Sequence, residues 1–424
     1  MKSTTIDETC HEAIAAYAAR FHGALGPVHG VASPLGAWML LALAAQAATG
    51  DTRAAIEEVL GVSADDALAF VRGLFENPHP AVAAAIALWN DPSIYNEAFG
   101  RWHDALPETV ERGPMPSHAA ADAWVRNATR GAIAKMPVWD DLSVLVLASA
   151  LAVDGIWCDP FSSVPSAELG DSAWAREVEQ VLSTHDAGYS IRWTPSAGEV
   201  AVHVRPTRSD FIVTSVIAAP DLPFERVIAA AHEVASGSNR VERRTLFSLP
   251  LGDGHSWTIT EQEVDADYAD SRTQSGHIVL PAWRAETPSV DLLKHEGFGF
   301  RPAVRALESL LPFGPDGYST RAIQATTAAY DRYGFRASSV TMSTTFEEEA
   351  VWIDARRRGL HRHVEVRFAR PYAVVAYADG SHGRPHPWRG VPLFSAWITQ
   401  PSEPEPMKRE AIREFEIIEE SFEP

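Results

Sequence analysis

The stretch VASPLGAWMLLALAAQAATGDTRAAIEEVLG, residues 31–61, decides the fold. Residues 33–50 are apolar almost all round, and a helix with that pattern lies inside a large protein rather than on its surface. Residues 50–61 predict an amphipathic helix with Asp51 or Thr52 as N-cap and a glycine as C-terminal stop. We therefore expect a buried central helix followed by an ordinary surface helix.

The composition limits the kinds of partner. The chain has 424 residues, of which 46% are hydrophobic and 9% aromatic, so it can fill a large core. Its net charge of -20 repels phosphate backbones and anionic lipid, which argues against nucleic acid and membrane surfaces as partners. Cys10 and Cys158 cannot build a disulfide framework or a zinc site by themselves, and we expect both to be small buried hydrophobes.

The remaining sequence predicts mixed secondary structure. Residues 119–133 form a short amphipathic helix pattern, and the β-branched apolar run 142–157 predicts a strand buried on both faces. Short strand patterns separated by turn residues follow, namely YSIRWT, EVAVHV, DFIVTSVIAA, HSWTITEQEV and HIVLPAW. The fold class is α+β.

Six blocks of the sequence, in order, resemble segments of the serpins, the family of serine protease inhibitors. They are residues 31–61 (VASPLGAW to EEVLG), 85–99 (AIALWNDPSIYNEAF), 122–133 (DAWVRNATRGAI), 145–161 (LVLASALAVDGIWCDPF), 278–298 (IVLPAWRAETPSVDLLKHEGF) and 367–401 (RFARPYAVVAYAD to VPLFSAWITQP). The resemblance implies a serpin fold: one domain over residues 1–401, with several helices around three β-sheets and an exposed reactive-centre loop at about 344–366. It also implies that the largest sheet can accept an extra strand.

In serpins the loop before the Arg-Pro-Tyr block is the bait that a serine protease cleaves. Counting back from Arg370 without gaps gives Leu360-His361 as the reactive bond. A shifted register gives Arg358-Gly359 or Arg362-His363 instead. The arginines around this bond suit the acidic specificity pocket of a trypsin-like enzyme.

The hinge at the front of the loop departs from the family pattern. The resemblance assigns it to nine residues that lack the usual glycine and run of small side chains: Thr344, Thr345, Phe346, Glu347, Glu348, Glu349, Ala350, Val351 and Trp352. In the gap-free register Phe346 takes the glycine position, and Glu347 and Glu349 point into the sheet. In the alternative register Ala350, Trp352, Asp354 and Arg356 point inward.

Burying an unpaired carboxylate costs several kcal/mol, so either register slows insertion of the loop. We therefore expect a serpin that is cleaved or binds a protein partner without trapping the protease. The alternative is a functional suicide inhibitor of a trypsin-like or subtilisin-like serine protease.

The resemblance also assigns the region where the large sheet opens. Ser33 matches the family, Gly36 replaces its second serine, Ser149 replaces a buried asparagine, and Trp157 matches a tryptophan near the top of the sheet. We expect these four residues to have structural roles.

No enzyme motif is present: the chain has no GxSxG, HExxH, P-loop or GxGxxG, so we expect neither a catalyst nor a cofactor. His361 and His363 could converge with His382 and His386, but loop histidines are more often solvated than bound to metal, so we expect no metal site.

The N-terminus carries no signal-peptide pattern, which favours a cytoplasmic location and leaves an extracellular one open. We expect a monomer. Residues 402–424 form an acidic extension after the point where serpins end. Its pattern of Ile412, Phe415, Ile418 and Phe422 predicts a short helix that packs on its own domain or docks on a partner.

Overall fold

The computed structural model describes residues 6–131, 133–136, 143–185, 187–266, 271–312, 323–336, 357–379 and 386–405. Its α-helices are α1 (Ile6–Leu25), α2 (Pro34–Ala44), α3 (Gly50–Leu60), α4 (Ala64–Glu76), α5 (Glu97–Ala105), α6 (His118–Ala128), α7 (Phe224–Ala235) and α8 (Phe300–Glu308). None of the helices in the described ranges is long and apolar enough to cross a membrane.

Three sheets hold the strands, which confirms the predicted α+β class and its three sheets. The first strands are β1 (Gly30–Ala32), β2 (Val82–Asn90), β3 (Glu111–Pro114), β4 (Leu145–Ile156), β5 (Ser162–Pro165), β6 (Gln180–Thr184), β7 (Tyr189–Thr194), β8 (Gly198–Pro206), β9 (Phe211–Ile217) and β10 (Glu242–Arg244). The others are β11 (Gly252–Asp253), β12 (Trp257–Ala266), β13 (Arg272–Leu280), β14 (Trp283–Asp291), β15 (Ile323–Tyr330), β16 (Gly334–Arg336), β17 (Arg357–Arg367), β18 (Tyr372–Ala378) and β19 (Pro392–Ile398).

The strand orders are β1-β19-β18-β9-β8-β7-β10, β11-β12-β17-β13-β6-β5 and β14-β15-β16-β4-β2-β3. We call these the core sheet, the histidine sheet and the large sheet. The last name marks the sheet that corresponds to the one expected to accept an extra strand. All three orders contain neighbours that are far apart in sequence, so the sheets depend on long-range contacts that local propensity does not encode.

The central helix α2 is buried as the sequence predicts. It packs against β4 of the large sheet and β19 of the core sheet, and Trp38 and Leu41 on it are inaccessible to solvent. It is shorter than expected because the chain tightens into a 3₁₀ turn at Ala45–Ala47.

The start of α3 differs from the expectation. Thr49, rather than Asp51 or Thr52, is the N-cap, although its side chain makes no capping hydrogen bond. The expected stop is present, because Gly61 adopts the left-handed conformation with φ 77° and its N–H donates to the Glu57 carbonyl. The predicted helix at 119–133 is α6, which ends three residues before Gly131.

The two cysteines differ in environment. Cys10 is fully buried, and burial, followed by the charges of Asp66 and Asp7, raises the pKa of its thiol to about 12. Cys158 is exposed, which corrects the expectation that both are buried, because it follows the last buried residues of β4 in a turn.

Three of the four buried histidines have a strongly lowered pKa. Burial lowers the pKa of His22 to about 4 and those of His203 and His232 to about 3. Neither ring nitrogen of His232 has a hydrogen-bond partner within the described ranges. These side chains are therefore held neutral in the folded protein, whereas an unfolded chain protonates them below pH of about 6.5.

We predict that His232→Leu reduces the acid sensitivity of the fold. Because the folded-state pKa is depressed, the stability from neutral His232 is present above the unfolded pKa and is lost as pH falls. At pH 5 the loss amounts to about 2 kcal/mol relative to pH 7.5. Urea unfolding at the two pH values should show the wild type losing about that much more than His232→Leu. A His295→Leu control at an exposed position should follow the wild type, and equal losses in all three proteins would contradict the prediction.

Candidate functional site

The large sheet contains a short central strand, β16, that joins two longer ones. Gly334 and Arg336 of β16 pair antiparallel with Ile156 and Asp154 of β4. On its other side, β16 pairs antiparallel with the last residues of β15. In the described part of the chain, β4 makes strand pairs on this side over only three of its twelve residues. We call the gap between β4 and β15 the seam.

Two glycines let the strands meet at the closed end of the seam. A Cβ atom on Gly334 would lie 2.4 Å from the Gly155 carbonyl oxygen, and a Cβ on Gly155 would lie 2.3 Å from ring atoms of Phe211. Neither position can hold a side chain without movement of backbone or a buried ring. Phe335, which pairs with Gly155, is buried and belongs to the hydrophobic core.

Trp157 holds the turn that leads from β15 into β16. Its backbone N–H donates to the Tyr333 carbonyl at 3.0 Å, and its indole Nε1–H donates to the Asp331 carbonyl at 2.8 Å. The ring is fully buried and packs on Tyr330 with 4.8 Å between centroids. Trp157, which the resemblance predicts near the top of the sheet, therefore fixes the turn at the closed end of the seam.

The same turn is fastened to the C-terminal segment. The backbone N–H of Glu405 donates to the Asp331 carboxylate at 2.9 Å, and Arg284 forms ion pairs with Glu405 and Asp331. Burial raises the pKa of Asp331, and the N–H donors of Arg332 and Glu405 oppose that shift. This segment had been predicted only as an extension; residues 406–424 with the predicted helix lie outside the described residues.

Three of the residues assigned to sheet opening converge at the start of α2. A Cβ on Gly36 would lie 3.0 Å from Ser149 Oγ and 3.5 Å from Ser33 Oγ. Ser33 donates from its hydroxyl to the Leu393 carbonyl at 3.3 Å. The residue that sequence reasoning missed is Gln324 on β15, whose amide accepts from Ser33 N–H at 3.1 Å and donates to Ser33 C=O at 2.9 Å. The sequence around Gln324 shows a strand pattern but gives no sign of its contact with Ser33.

The residues predicted as the reactive bond lie in a strand instead of a loop. Leu360 and His361 belong to β17, which pairs antiparallel with β12 and parallel with β13. The alternates Arg358, Gly359, Arg362 and His363 belong to the same strand. The expected loop therefore ends before residue 357 because β12 continues far enough to pair with every residue from 357 to 366.

Two of the basic side chains of β17 are already bound within the protein. Arg362 is ion-paired with Glu261 at 2.7 Å and donates to the carbonyls of Leu246 and Leu249. Arg358 is exposed and pairs with Glu263 at 2.7 Å. His361 and His363 share the Ser275 hydroxyl, each at 2.8 Å.

Of the predicted hinge residues and the two remaining candidate histidines, only His386 lies in the described part of the chain. The predicted hinge, residues 344–352, lies outside the described residues, as does His382. His386 packs edge-on against His79, with 5.7 Å between centroids, instead of joining the histidines of β17.

The comparisons with known proteins agree with this architecture. Residues 29–168 match the family model described as serpin (serine protease inhibitor). Among curated proteins, none matches the chain in sequence. The family-model match supports the predicted resemblance to the serpins, and the chain has the serpin fold.

Solved structures resemble the chain over nearly its whole length. The native state of the thermophilic serpin tengpin has a TM-score of 0.61 at 14% identity, covering 94% of this chain and 95% of its own. Serpin48 of the insect Tenebrio molitor has a TM-score of 0.58 at 14% identity, covering 95% of this chain and 100% of its own. Human thyroxine-binding globulin, solved in complex with thyroxine, has a TM-score of 0.60 at 12% identity, covering 95% of this chain and 100% of its own. At these identities the likeness shows the fold.

We predict that Trp157→Phe destabilises the protein through the turn at the seam. Phenylalanine keeps an aromatic ring in the core but leaves the Asp331 carbonyl without its indole donor, so the free energy of unfolding should fall by about 1–3 kcal/mol. Chemical denaturation measures the change. Trp193→Phe, at an indole that is 37% exposed, is the matched control and should change stability by less than about 0.5 kcal/mol. Equal effects of the two variants would contradict the assigned role.

Proposed function

We propose that this protein inhibits a serine protease by inserting the segment that follows β16 into the seam after cleavage. The observation that carries the proposal is the register of β16. We propose the inhibitory alternative rather than the non-inhibitory protein expected from the hinge at 344–352, because the chain already turns back into the sheet at Asp331–Tyr333. The serpin fold supports protease inhibition as the function, and the seam supports strand insertion as its mechanism.

The register of β16 defines how far an inserted strand would extend. Gly334 pairs with Ile156 and Arg336 with Asp154, so each step forward in β16 is one step back along β4. Continued without a bulge, the pairing brings Thr345 opposite Leu145, the first residue of β4. A strand over residues 334–345 would therefore match the whole of β4.

The side chains that would turn inward suit this strand. Phe335 is buried, and alternate residues of a strand share a face. The inward set after Phe335 is Ala337, Ser339, Thr341, Ser343 and Thr345, all small and uncharged. Insertion would therefore bury no charge, and its strand pairs would satisfy the open edge of β4.

The glutamates that argued against trapping fall outside this strand. Glu347 would also be on the inward side, but it lies two residues beyond Thr345. Thr345 would already be opposite Leu145, the first residue of β4. Phe346 takes the outward parity. The several kcal/mol that an unpaired buried carboxylate costs therefore does not oppose insertion of 334–345.

The bait lies between the inserting segment and β17. Residues 346–356 are the only stretch left between Thr345 and Arg357, the first residue of β17. A bond inside β17 is a poor substrate, because a protease binds an extended backbone and both edges of β17 are already paired. We therefore place the reactive bond within 346–356.

A panel of trypsin-like and subtilisin-like proteases tests the proposal. We expect at least one to form a covalent complex that survives boiling in detergent, because the acyl-enzyme persists when insertion is faster than hydrolysis. Clean cleavage by every protease that cuts residues 346–356 would overturn the proposal. That outcome would support instead the non-inhibitory, partner-binding alternative.

Paired substitutions test the predicted parity of the inserted strand. Ser339→Glu places a carboxylate inward and should reduce the ratio of complex to cleaved protein by at least about tenfold, since about 1.4 kcal/mol on the insertion barrier is a factor of ten in rate. Ser338→Glu adds the same charge on the outward side and should stay within about twofold of the wild type. Equal loss in both variants would contradict the register.

Mass spectrometry of the cleaved protein locates the reactive bond. We expect the new C-terminus to fall between residues 346 and 356, and Arg362→Ala to leave the cleavage rate within about twofold, because its guanidinium is held by Glu261. A dominant cut after Arg358, Leu360 or Arg362 would restore the bond predicted by gap-free counting.

A further inference from the structure

The solvent face of the histidine sheet carries a cluster that the proposed inhibition does not use. Glu168, in a 3₁₀ turn at Ser166–Leu169, meets His277 of β13 and Glu365 of β17. One donor atom from each of the three residues lies within 4.8 Å of the other two. His277 and Glu365 are direct neighbours in the parallel pairing of β13 with β17.

We propose that Glu168, His277 and Glu365 bind one Zn²⁺ ion. Imidazole nitrogen and carboxylate oxygen are both common zinc ligands, and three protein ligands leave a fourth position for water. Bonds of about 2.0–2.2 Å in tetrahedral geometry put neighbouring donors roughly 3.4 Å apart. His277 Nδ1 and Glu365 Oε1 lie 4.0 Å apart, too far for a hydrogen bond and close enough to span an ion after small side-chain rotations.

The hydrogen bonds around the cluster orient His277 for this role. Its Nε2 lies 2.7 Å from the Ser183 hydroxyl, and with Nε2–H as the donor the lone pair of Nδ1 faces the carboxylates. Zinc-bound histidines typically donate their other ring N–H in this way. The exposed fractions of the His277 and Glu365 side chains are 14% and 26%, so both are already partly desolvated.

The charges near the cluster are compatible with a cation. Arg367 pairs with Glu365 Oε2 at 2.5 Å and donates from Nε to the Glu168 backbone carbonyl at 3.2 Å, which leaves Glu365 Oε1 and the Glu168 carboxylate for the ion. The His185 ring stacks on His277, with 4.3 Å between centroids.

An ion at this position would fasten β17 to β13 and to the turn that contains Glu168. β17 is the strand that follows the proposed bait, so the ion would secure the C-terminal anchor of that segment. The zinc site itself is independent of the inhibitory proposal and stands or fails by its own measurements.

Equilibrium dialysis of the full chain, freed of metal with a chelator, against Zn²⁺ tests the site. We expect one tightly bound Zn²⁺ per chain and a higher midpoint of thermal unfolding with Zn²⁺, an effect that Mg²⁺ should not reproduce. His277→Ala and the isosteric Glu365→Gln should each weaken binding by at least about tenfold, and Ser183→Ala by about 10–100-fold, because it frees the imidazole to turn.

His361→Ala is the matched control, since it removes an imidazole from the same face of the same strand, four residues before Glu365. It should leave zinc affinity within about twofold. Absence of a one-to-one site in the wild type would overturn the proposal. So would zinc binding that His361→Ala removes and His277→Ala leaves intact, or equal affinity in folded Glu365→Gln and the wild type.

Discussion

The pairing of β16 between β4 and β15 is the constraint on which the rest of the structure depends. In the described part of the chain the central position of the large sheet is filled at one end only, and facing strand edges of this kind favour an added strand. The described part of the chain closes the seam with three residues, Gly334 to Arg336. Gly155 and Gly334 permit that closure because their backbones meet where no Cβ would fit. In the proposed mechanism, small side chains at every second position after Phe335 would let the same strand continue without burying charge.

Much of the fold could be predicted from the sequence, because local patterns and the serpin-like blocks point to the same elements. The apolar run at 142–157 became β4, and the buried helix pattern became α2. The resemblance also brought Ser33, Gly36 and Ser149 to one place, which no local propensity could do. Details that depend on partners far along the chain were missed. Gln324 holds Ser33 across 291 positions of sequence, and Cys158 is exposed because the chain turns away from the core after Trp157.

The extent of β17 could not be predicted for a different physical reason. Counting back from Arg370 without gaps assumes a strand of ordinary length before it, whereas β17 spans eleven residues. The sequence did contain signals for this strand, since His361, His363 and Glu365 alternate with the buried Val364 and Val366. It also contained Gly334 and, from Ala337 onward, small uncharged residues at every second position up to Thr345. Both signals are short. The pairing of β17 with β12 and β13 shows how many of the residues before Arg370 belong to the sheet.

The two ends of the proposed bait are anchored in different ways, and this difference bears on the proposed inhibition. At the start, Trp157 and Glu405 hold the turn at Asp331, so the chain enters the seam already reversed. At the end, β17 is paired on both sides, and the cluster at Glu365 lies beside it. An inserting strand therefore does not have to form its turn during the competition with hydrolysis. The conformational cost of fixing the turn, about 1–2 kcal/mol for each residue ordered, is met in the native fold. Because each 1.4 kcal/mol changes a rate about tenfold, a turn formed in advance favours insertion over release of the protease.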